Sequence, residues 1–449
     1  MDALNSFFQS AQNQSVKTRI QALKSLKSTL KTHEGRLLDA LAIDLGKSPE
    51  EAWLSEVAIV YEELNHHIRM LKKWSKPQKR PSGLLLFPSK STLRSEPYGV
   101  VLIIAPWNYP VQLLLDPLIG AVSAGNCVVA KPSSQTPNVA HVLNEILTTA
   151  FQPSHVTCIQ YTREEMNAVL DLPFDYIFFT GGYAAGKHIL KKASQHLTPV
   201  TLELGGKSPC IVHKSCNIDT AVKRILFGKA INCGQTCIAP DYLLVHRDCK
   251  EALIDGLKKR IKILYGSDAR QSPFWGKIIS EKTTLDLAER LKESGGNILH
   301  GGRYDASERF MELTLIEHPD LNSRLMREEI FGPILPILYY DQLEEVLDFV
   351  HQRPKPLALY FFGSKSDAET ILKNTSSGGA CVNDCLMHVV NKDLPFGGVG
   401  PSGMGKYHGY TSFQTFSHQK AVVHSSTKWD LPTKYPPYPG LSWLKRLLS

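Results

Sequence analysis

Along the first part of the chain, apolar residues recur at every third or fourth position, which is the spacing of one face of an α-helix. One such stripe covers residues 16–30 and a second covers residues 53–71. The second is preceded by residues 48–51, which offer an N-cap serine, a proline for the first helical position and a capping-box glutamate. The pattern predicts helices whose apolar stripes face the core. The adjacent His66 and His67 have no ligand partner in view and are expected at the surface.

Beyond residue 100 the pattern changes to short, continuous apolar runs, which are typical of strands buried in a parallel sheet. The runs are 100–105, 127–130, 156–160, 176–179, 210–213, 243–246, 334–339 and 357–362. Helical patterns separate them, for example at 139–150 and 219–230. This alternation predicts an α/β architecture with mostly parallel sheets. Ahead of it, a basic, proline-containing connector at 75–83 leads into a short apolar strand candidate at 84–88.

Length and composition change this picture little. A chain of 449 residues predicts two or three domains, and its 43% apolar and 21% charged residues are ordinary for a globular protein. The net charge of +8 is mild for this length and gives at most weak attraction to anionic surfaces. Because no basic stripe is interleaved with aromatic residues, nucleic-acid binding is not predicted.

The nine cysteines follow neither a CxxC nor a zinc-ligand spacing, so the sequence predicts reduced thiols and no metal site. No secretory leader and no apolar run of about 18 residues is visible, which predicts a cytoplasmic protein without a transmembrane anchor. The segment 428–449 is rich in proline and ends in a short amphipathic stretch. It is expected to pack on the protein or on a second subunit, with weak contact at a membrane surface as the alternative.

Three short segments carry candidate chemistry. Cys237 follows a glycine-containing turn after a predicted helix, where backbone N–H groups favour a nucleophilic thiolate, although free cysteines also simply pack in cores. Glu203 lies in an apolar run before two glycines, where it is either a general base of raised pKa or a strand-end carboxylate with a local partner. Asn108 follows the strand at 100–105 and is either an oxyanion donor or a turn residue.

Together these segments resemble the aldehyde dehydrogenase superfamily, and most closely its class 3 branch, which acts on fatty and aromatic aldehydes. Further matching motifs follow in the family's order at 179–181, 328–333 and 394–403. The resemblance implies a doubly wound cofactor-binding domain, an α/β catalytic domain and a small β oligomerisation arm with a tail. The implied cofactor-binding domain comprises residues 1–79 and 98–205, and the implied catalytic domain comprises residues 206–410. The arm and tail comprise residues 80–97 and 411–449. The arm implies a homodimer.

The resemblance also implies a reaction, the NAD(P)-dependent oxidation of aldehydes to carboxylic acids. Cys237 would attack the aldehyde and give a thiohemiacetal, with the Asn108 amide and the Cys237 backbone N–H holding the oxyanion. Hydride transfer to the nicotinamide would leave a thioester, and Glu203 would activate the water that releases the acid. Trp107, Tyr109 and Leu113 are expected to form an apolar funnel for medium-chain aliphatic or aromatic aldehydes, or else to be core residues.

For the cofactor, the resemblance assigns Lys131 to the adenine ribose, Glu329 to the nicotinamide ribose and Phe331 to the nicotinamide ring. The remaining cofactor-binding candidates are Trp107, Ser133, Ser134, Thr180, Gly181 and Gly182. Ser134 departs from the family, which commonly has a glutamate there. Because a neutral hydroxyl does not repel a 2′-phosphate, NADP is expected to be accepted, and a preference for it over NAD stays open. Gly182 also departs from a common serine, so a backbone N–H is expected to replace its hydroxyl.

Other interpretations remain open at the level of sequence. Residues 181–187 fit GxxxxGK, but His188 stands where a P-loop needs serine or threonine, which argues against a phosphotransferase. A CoA-acylating dehydrogenase would use the same cysteine but typically lacks the Glu203 carboxylate. A cofactor-independent thiol esterase and a non-catalytic scaffold also remain. Cys233, four residues before Cys237, is a structural thiol or a redox partner.

Overall fold

The computed structural model describes residues 1–83, 86–162 and 165–448. Its helices are α1 (Asp2–Gln9), α2 (Val16–Leu45), α3 (Pro49–Ala52), α4 (Ala58–Trp74), α5 (Gln112–Ala124), α6 (Pro137–Ala150), α7 (Glu165–Leu170), α8 (Tyr183–Ala193), α9 (Ile218–Ala230), α10 (Lys250–Tyr265), α11 (Glu281–Glu293), α12 (Arg324–Arg327), α13 (Leu343–His351), α14 (Lys365–Asn374), α15 (Gly409–Thr415) and α16 (Leu441–Leu448). Among these residues, every helix is too short or too polar to cross a membrane.

The strands are β1 (Gln78–Arg80), β2 (Lys90–Pro97), β3 (Val100–Ile104), β4 (Cys127–Lys131), β5 (Val156–Cys158), β6 (Tyr176–Thr180), β7 (Val200–Glu203), β8 (Pro209–Val212), β9 (Tyr242–His246), β10 (Asn297–His300), β11 (Tyr304–Asp305), β12 (Phe310–Met311), β13 (Thr314–Glu317), β14 (Ile334–Tyr340), β15 (Ala358–Phe362), β16 (Gly379–Val382), β17 (Gly403–Met404) and β18 (Ser417–His424). The apolar runs predicted from the sequence fall on eight of these strands, from β3 to β15. Of the strand predicted at 84–88, residues 84 and 85 lie outside the described residues, and residues 86–88 are not in a strand.

Two large sheets carry the fold. A six-stranded sheet has the order β17-β7-β6-β3-β4-β5, and a seven-stranded sheet has the order β10-β13-β14-β9-β8-β15-β16. All neighbours in them are parallel except β17 with β7 and β10 with β13. The predicted α/β class with a doubly wound sheet is confirmed. The domain boundaries stay a prediction. Strand β17 belongs to the six-stranded sheet, although its residues lie in the range 206–410 that was expected to form the catalytic domain.

A third sheet, β1-β2-β18, is antiparallel and stands apart from the parallel ones in sequence pattern. Its long pair, β2 and β18, runs in register from Ser417 opposite Pro97 to His424 opposite Lys90. We call this sheet the arm. Periodicity did not predict it because its strands are largely polar and only partly buried.

The N-terminal helices follow the sequence pattern with two corrections. Ser48 caps α3 by accepting the Glu51 N–H at 3.1 Å, as predicted. A π-helical turn then interrupts the helix at Trp53–Val57, and the extra residue shifts the apolar stripe. Trp53, before this shift, is 40% exposed, so its predicted core position is wrong.

The second correction concerns His67, which is fully buried and not at the surface. It shares a helical face with Leu64 and Leu71 of α4, which are also buried. Its ring satisfies both nitrogens, against Ser123 Oγ at 2.7 Å and Glu63 Oε1 at 3.0 Å. Its neighbour His66 is only partly buried.

Candidate active site

A cavity of about 230 Å³ opens where the carboxyl ends of β3, β6 and β7 meet. The order of the six-stranded sheet reverses between β3 and β6, and this switch point is where doubly wound sheets bind ligands. The predicted site residues that line the cavity are Trp107, Asn108, Leu113, Thr180, Gly181, Gly182, Glu203, Cys237, Glu329 and Phe331. The fold therefore brings together residues that lie up to more than two hundred positions apart in the sequence.

Four predicted site residues, all within the described part of the chain, lie outside this lining. Lys131 ends β4, one strand away, and is buried together with Ser133, while Ser134 is exposed. Burial lowers the pKa of the Lys131 ammonium. Tyr109 is buried behind the cavity, with its hydroxyl 2.6 Å from Thr236 Oγ1 and the Lys47 ammonium 4.1 Å from its ring centre.

The loop that carries Cys237 has an unusual backbone. After α9 ends, Asn232, Cys233 and Gly234 all adopt left-handed φ angles of 50°, 52° and 72°. Such angles are uncommon outside glycine and persist only where surrounding contacts hold them. At Gly234 a Cβ would lie 2.4 Å from the Gly332 carbonyl oxygen, so the glycine is required for this close approach.

Hydrogen bonds from several segments hold this loop in place. The Asn232 N–H donates to Glu51 at 2.8 Å, and the Asn232 amide donates to the Asn108 carbonyl at 2.8 Å. The Gln235 amide donates to the Lys277 carbonyl at 3.0 Å, and its oxygen accepts the Ile279 N–H at 2.9 Å. The Cys237 loop is thereby tied to α3, to the Asn108 loop and to residues 277–279.

Asn108 is held on both its backbone and its side chain. Its side-chain amide donates to the Gln235 carbonyl at 3.0 Å, which ties it to the Cys237 loop. Its backbone carbonyl accepts from Lys47 Nζ at 3.1 Å. Lys47 also forms a fully buried ion pair with Glu56 at 2.6 Å, and Glu56 accepts the Val111 N–H at 2.8 Å. This pair fixes both sides of the Asn108 loop.

The Cys237 thiol is partly exposed to the cavity, and the N–H groups of Cys237 and Ile238 point at its sulfur. Burial, together with the carboxyl groups of Glu329 and Glu203, nevertheless raises its pKa to about 12. The two N–H groups favour the thiolate, as predicted, but they do not decide the net pKa of the thiol. The two N–H groups are outweighed by desolvation and by two acidic side chains that the sequence could not place beside the sulfur.

Glu203 ends β7 and is 2% exposed. Within the described residues neither of its carboxyl oxygens has a hydrogen-bond partner, so the alternative of a strand-end carboxylate with a local partner finds no support. Burial raises its pKa well above the ordinary value, and Lys406 opposes the rise only partly. The raised pKa agrees with the expectation, while the role as a base stays a prediction.

Glu329 lines the same cavity and also acts electrostatically on the Cys237 thiol. Burial, and secondarily Asp241, raises its pKa to about 8, although the Gly206 N–H donates to it. A Cβ on Gly205 would lie 2.0 Å from its Oε2, so the glycine provides the space that the carboxylate occupies. Phe331, at a φ of 51°, packs edge-on against Trp107 with ring centres 5.4 Å apart.

The sequence model of the Aldehyde dehydrogenase family matches residues 1–422. The chain belongs to the aldehyde dehydrogenase family. It is 46% identical over 435 residues to the 4,4'-diaponeurosporen-aldehyde dehydrogenase of Staphylococcus aureus, covering 97% of this chain and 95% of the relative. It is 42% identical over 437 residues to aldehyde dehydrogenase family 3 member B1 of Homo sapiens, covering 97% and 93%.

The solved structures agree. One described as the substrate-bound state of Staphylococcus aureus AldH matches with a TM-score of 0.97 at 44% identity, covering 100% of this chain and 98% of that one. The predicted membership of the aldehyde dehydrogenase family, with class 3 relatives, is confirmed. The protein is an enzyme of a family that typically depends on NAD or NADP.

Sequence reasoning missed several residues of this aldehyde dehydrogenase that shape the site. Leu204, Leu357 and Tyr407 line the cavity, while Lys47 and Glu56 position Asn108. Tyr407 lies four residues after the matched motif at 394–403, which was a usable signal. Lys47 and Glu56 carried none, because a charged side chain is usually solvated.

The raised thiol pKa makes a prediction about alkylation. The rate of Cys237 modification by iodoacetamide is expected to rise about tenfold per pH unit between about pH 7 and 10, because only the thiolate reacts. Peptide mass spectrometry after timed quenching would measure it, with Cys237→Ala marking the background from other thiols. A rate that levels off below about pH 9 would contradict the raised pKa.

Proposed function

We propose that this enzyme oxidises medium- or long-chain aliphatic or aromatic aldehydes to carboxylic acids, with NAD or NADP as the hydride acceptor. The observation that carries the proposal is a single cavity in which the Cys237 thiol and the Asn108 amide meet the Glu203 carboxyl group, which has no hydrogen-bond partner among the described residues. These are a nucleophile, an oxyanion donor and a base, the three groups that this oxidation requires from the protein.

The first step is attack of Cys237 on the aldehyde carbon. With a thiol pKa of about 12, the proton must leave as the bond forms, and a carboxylate is needed to accept it. Glu329, whose pKa is about 8, is partly ionised near neutral pH and lines the same cavity as the thiol, which makes it the proposed acceptor. Asn108 uses one N–H on the Gln235 carbonyl and keeps the other for the developing oxyanion, and the Cys237 backbone N–H is the proposed second donor.

Several buried polar atoms fit a bound dinucleotide. Thr180 Oγ1 and Glu329 Oε1 have no partner among the described residues, and both residues line the cavity. Gly181 and Gly182 lead from β6 into α8, whose N-terminus favours a negatively charged group such as pyrophosphate. When bound, NAD or NADP supplies the acceptor for the hydride of the thiohemiacetal, which leaves a thioester on Cys237.

Glu203 then assists hydrolysis of the thioester. Its raised pKa makes it a strong base once it has lost its proton, and its position on β7 turns it towards the Cys237 cavity. The water proton passes to Glu203 as the C–O bond forms, and the Cys237 sulfur leaves as the acid is released.

The apolar part of the cavity supports the proposed substrate class. It is lined by Trp107, Leu113, Leu357 and Phe396. Among the described lining residues, Glu203 and Glu329 are the only charged ones. Such walls favour an alkyl or aryl group over a charged one. Tyr109 is buried and is not among the residues that line the cavity, so its proposed contact with substrate rests on the sequence alone.

Acceptance of NADP is the finer part of the cofactor proposal, and Ser134 supports it. Ser134→Glu is expected to lower kcat/KM for NADP by about tenfold or more, because a carboxylate repels a 2′-phosphate, while NAD use changes little. Steady-state rates with each cofactor would measure it, and the neutral Ser134→Gln is the matched control for side-chain size. Equal losses for both variants, or negligible NADP turnover by the unmodified enzyme, would contradict the role of Ser134.

Two alternatives share the same cavity and differ in products. A CoA-acylating enzyme would yield acyl-CoA, and a thiol esterase would hydrolyse esters without cofactor. A panel of hexanal, decanal and benzaldehyde with each cofactor, with and without CoA, followed by product mass spectrometry, separates them. Free acid formed without CoA supports the proposal. Acyl-CoA alone, or ester hydrolysis without any aldehyde oxidation, contradicts it.

The proposed assembly is a homodimer formed through the arm. Its strand β18 lies at the edge of the three-stranded sheet, and an open edge of eight residues is a surface for pairing with another chain.

In the tail, Trp443 is 63% exposed, and Lys445 and Arg446 lie in the last turn of α16. These side chains are suited to weak contact with a second subunit or a membrane surface. The cytoplasmic location stays a prediction.

A further inference from the structure

A second cavity, of about 420 Å³, lies between α10 and the turn that follows it on one side, and His300 with residues 312–313 on the other. It shares no residue with the catalytic cavity among the described lining residues. Its volume falls within the range of small-molecule sites. Nothing in the aldehyde oxidation uses it.

The floor of this cavity is apolar and already in place. Ile261, Ala269 and Leu313 are buried there. The Tyr265 ring packs edge-on against Trp275 with ring centres 4.8 Å apart, and the Trp275 indole N–H donates to the Met311 carbonyl at 3.1 Å. A floor held in this way accepts an aromatic or alkyl group without first having to be ordered.

The walls are positively charged. Lys258, Lys259 and Lys262 line one side, and His300 faces them. Within residues 1–83, 86–162 and 165–448, none of the three ammonium groups takes part in an ion pair. Lys258, which is half-buried, and Lys262, which is exposed, are one helical turn apart, and like charges at this spacing are mildly destabilising, an effect that a bound anion would relieve.

The acidic side chain in the lining does not neutralise these lysines. Glu312 accepts two hydrogen bonds from Arg303, at 3.0 Å and 2.9 Å, so its charge is already matched by a guanidinium. The cavity therefore combines an apolar floor with an unmatched positive wall.

We propose that this cavity binds a small amphiphilic anion, with its acidic head on the Lys258 and Lys262 ammonium groups and its apolar body on Tyr265 and Leu313. The ligand class is an aromatic or short-chain alkyl carboxylate, sulfate or phosphate in solution. The site is separate from the one that holds the acid product of the proposed reaction, and its existence does not depend on that reaction.

The test uses 4-iodobenzoate, whose iodine can be located in a crystal of the full chain by anomalous scattering, and whose binding in solution is measured by calorimetry. An iodine peak between α10 and His300 is expected. The double variant Lys258→Gln/Lys262→Gln is expected to lose about tenfold in affinity at this site. Lys282→Gln/Lys292→Gln removes the same charge from exposed positions on α11 and is expected to bind as the unmodified protein does. Inorganic phosphate has the negative charge without the aromatic body, and neutral 4-iodobenzyl alcohol has the aromatic body without the charge. Each is expected to bind at least about tenfold more weakly than 4-iodobenzoate.

Three outcomes overturn the proposal. The first is an iodine peak confined to the catalytic cavity. The second is equal affinity in the two double variants. The third is density between α10 and His300 in crystals with no saturable heat in solution, which would mean binding at crystal concentration only. Because both double variants leave the catalytic cavity intact, a missing aldehyde activity would bear on the proposed function alone.

Discussion

Cys237→Ala is expected to lower aldehyde turnover by about 10⁴-fold or more, because the covalent route is lost and no other thiol lines the cavity among the described residues. Cys233 cannot replace it. It is 2% exposed, its sulfur faces Gly276, and burial raises its pKa well above the ordinary value. The change is small and lies at a partly exposed position, so folding and cofactor binding are expected to persist.

Steady-state rates together with cofactor titration would check this expectation. Cys233→Ala is the matched control, since it removes a neighbouring thiol of the same loop and is expected to retain most of the turnover. Retention of more than about a tenth of the activity in Cys237→Ala would identify the nucleophile as another group and contradict the proposed mechanism.

Glu203→Gln is expected to separate the two halves of the reaction. Thioester formation does not require the water-activating base, so one equivalent of reduced cofactor per site should still form rapidly. Release of the acid should then slow by about 10²- to 10⁴-fold, the usual contribution of a positioned base. Rapid-mixing absorbance gives the burst, and intact-protein mass spectrometry gives the acyl group trapped on the enzyme.

The pH dependence of release follows from the direction of the Glu203 pKa. Because burial raises the pKa of Glu203, its base form is reached only at a higher pH than for an ordinary glutamate, and release in the unmodified enzyme is expected to speed up as the pH rises. The Glu203→Gln variant should lose this dependence. A variant that loses the burst together with the steady-state rate would contradict the assignment of Glu203 to hydrolysis.

The parallel framework was predictable because a strand buried on both faces must be apolar along its whole length, as β3 and β4 are. The arm could not be predicted from the hydrophobic pattern, because β2 and β18 are polar and partly exposed. Only the family resemblance indicated these strands. β7 was not among the predicted apolar strands because it is only four residues long and ends in Glu203, and it entered only through the interpretation of Glu203 as a strand-end carboxylate.

In the site, the identity of the candidate residues could be predicted from their own segments, whereas their electrostatic surroundings could not. Cys237, Glu203 and Asn108 stand out within their own segments, and the fold brings all three to one cavity. The charge state of Cys237 does not follow from its segment, because it depends on Glu329 and Glu203 from elsewhere. The buried pair Lys47 and Glu56 is likewise set by tertiary packing around the Asn108 loop.

The most direct test of the proposed reaction is to mix the purified enzyme with decanal and either NAD or NADP, and to measure reduced cofactor by absorbance and decanoic acid by mass spectrometry. The proposal predicts one reduced cofactor for each acid molecule, with no requirement for CoA. The absence of cofactor reduction with decanal, hexanal and benzaldehyde, whether or not CoA is present, would contradict it.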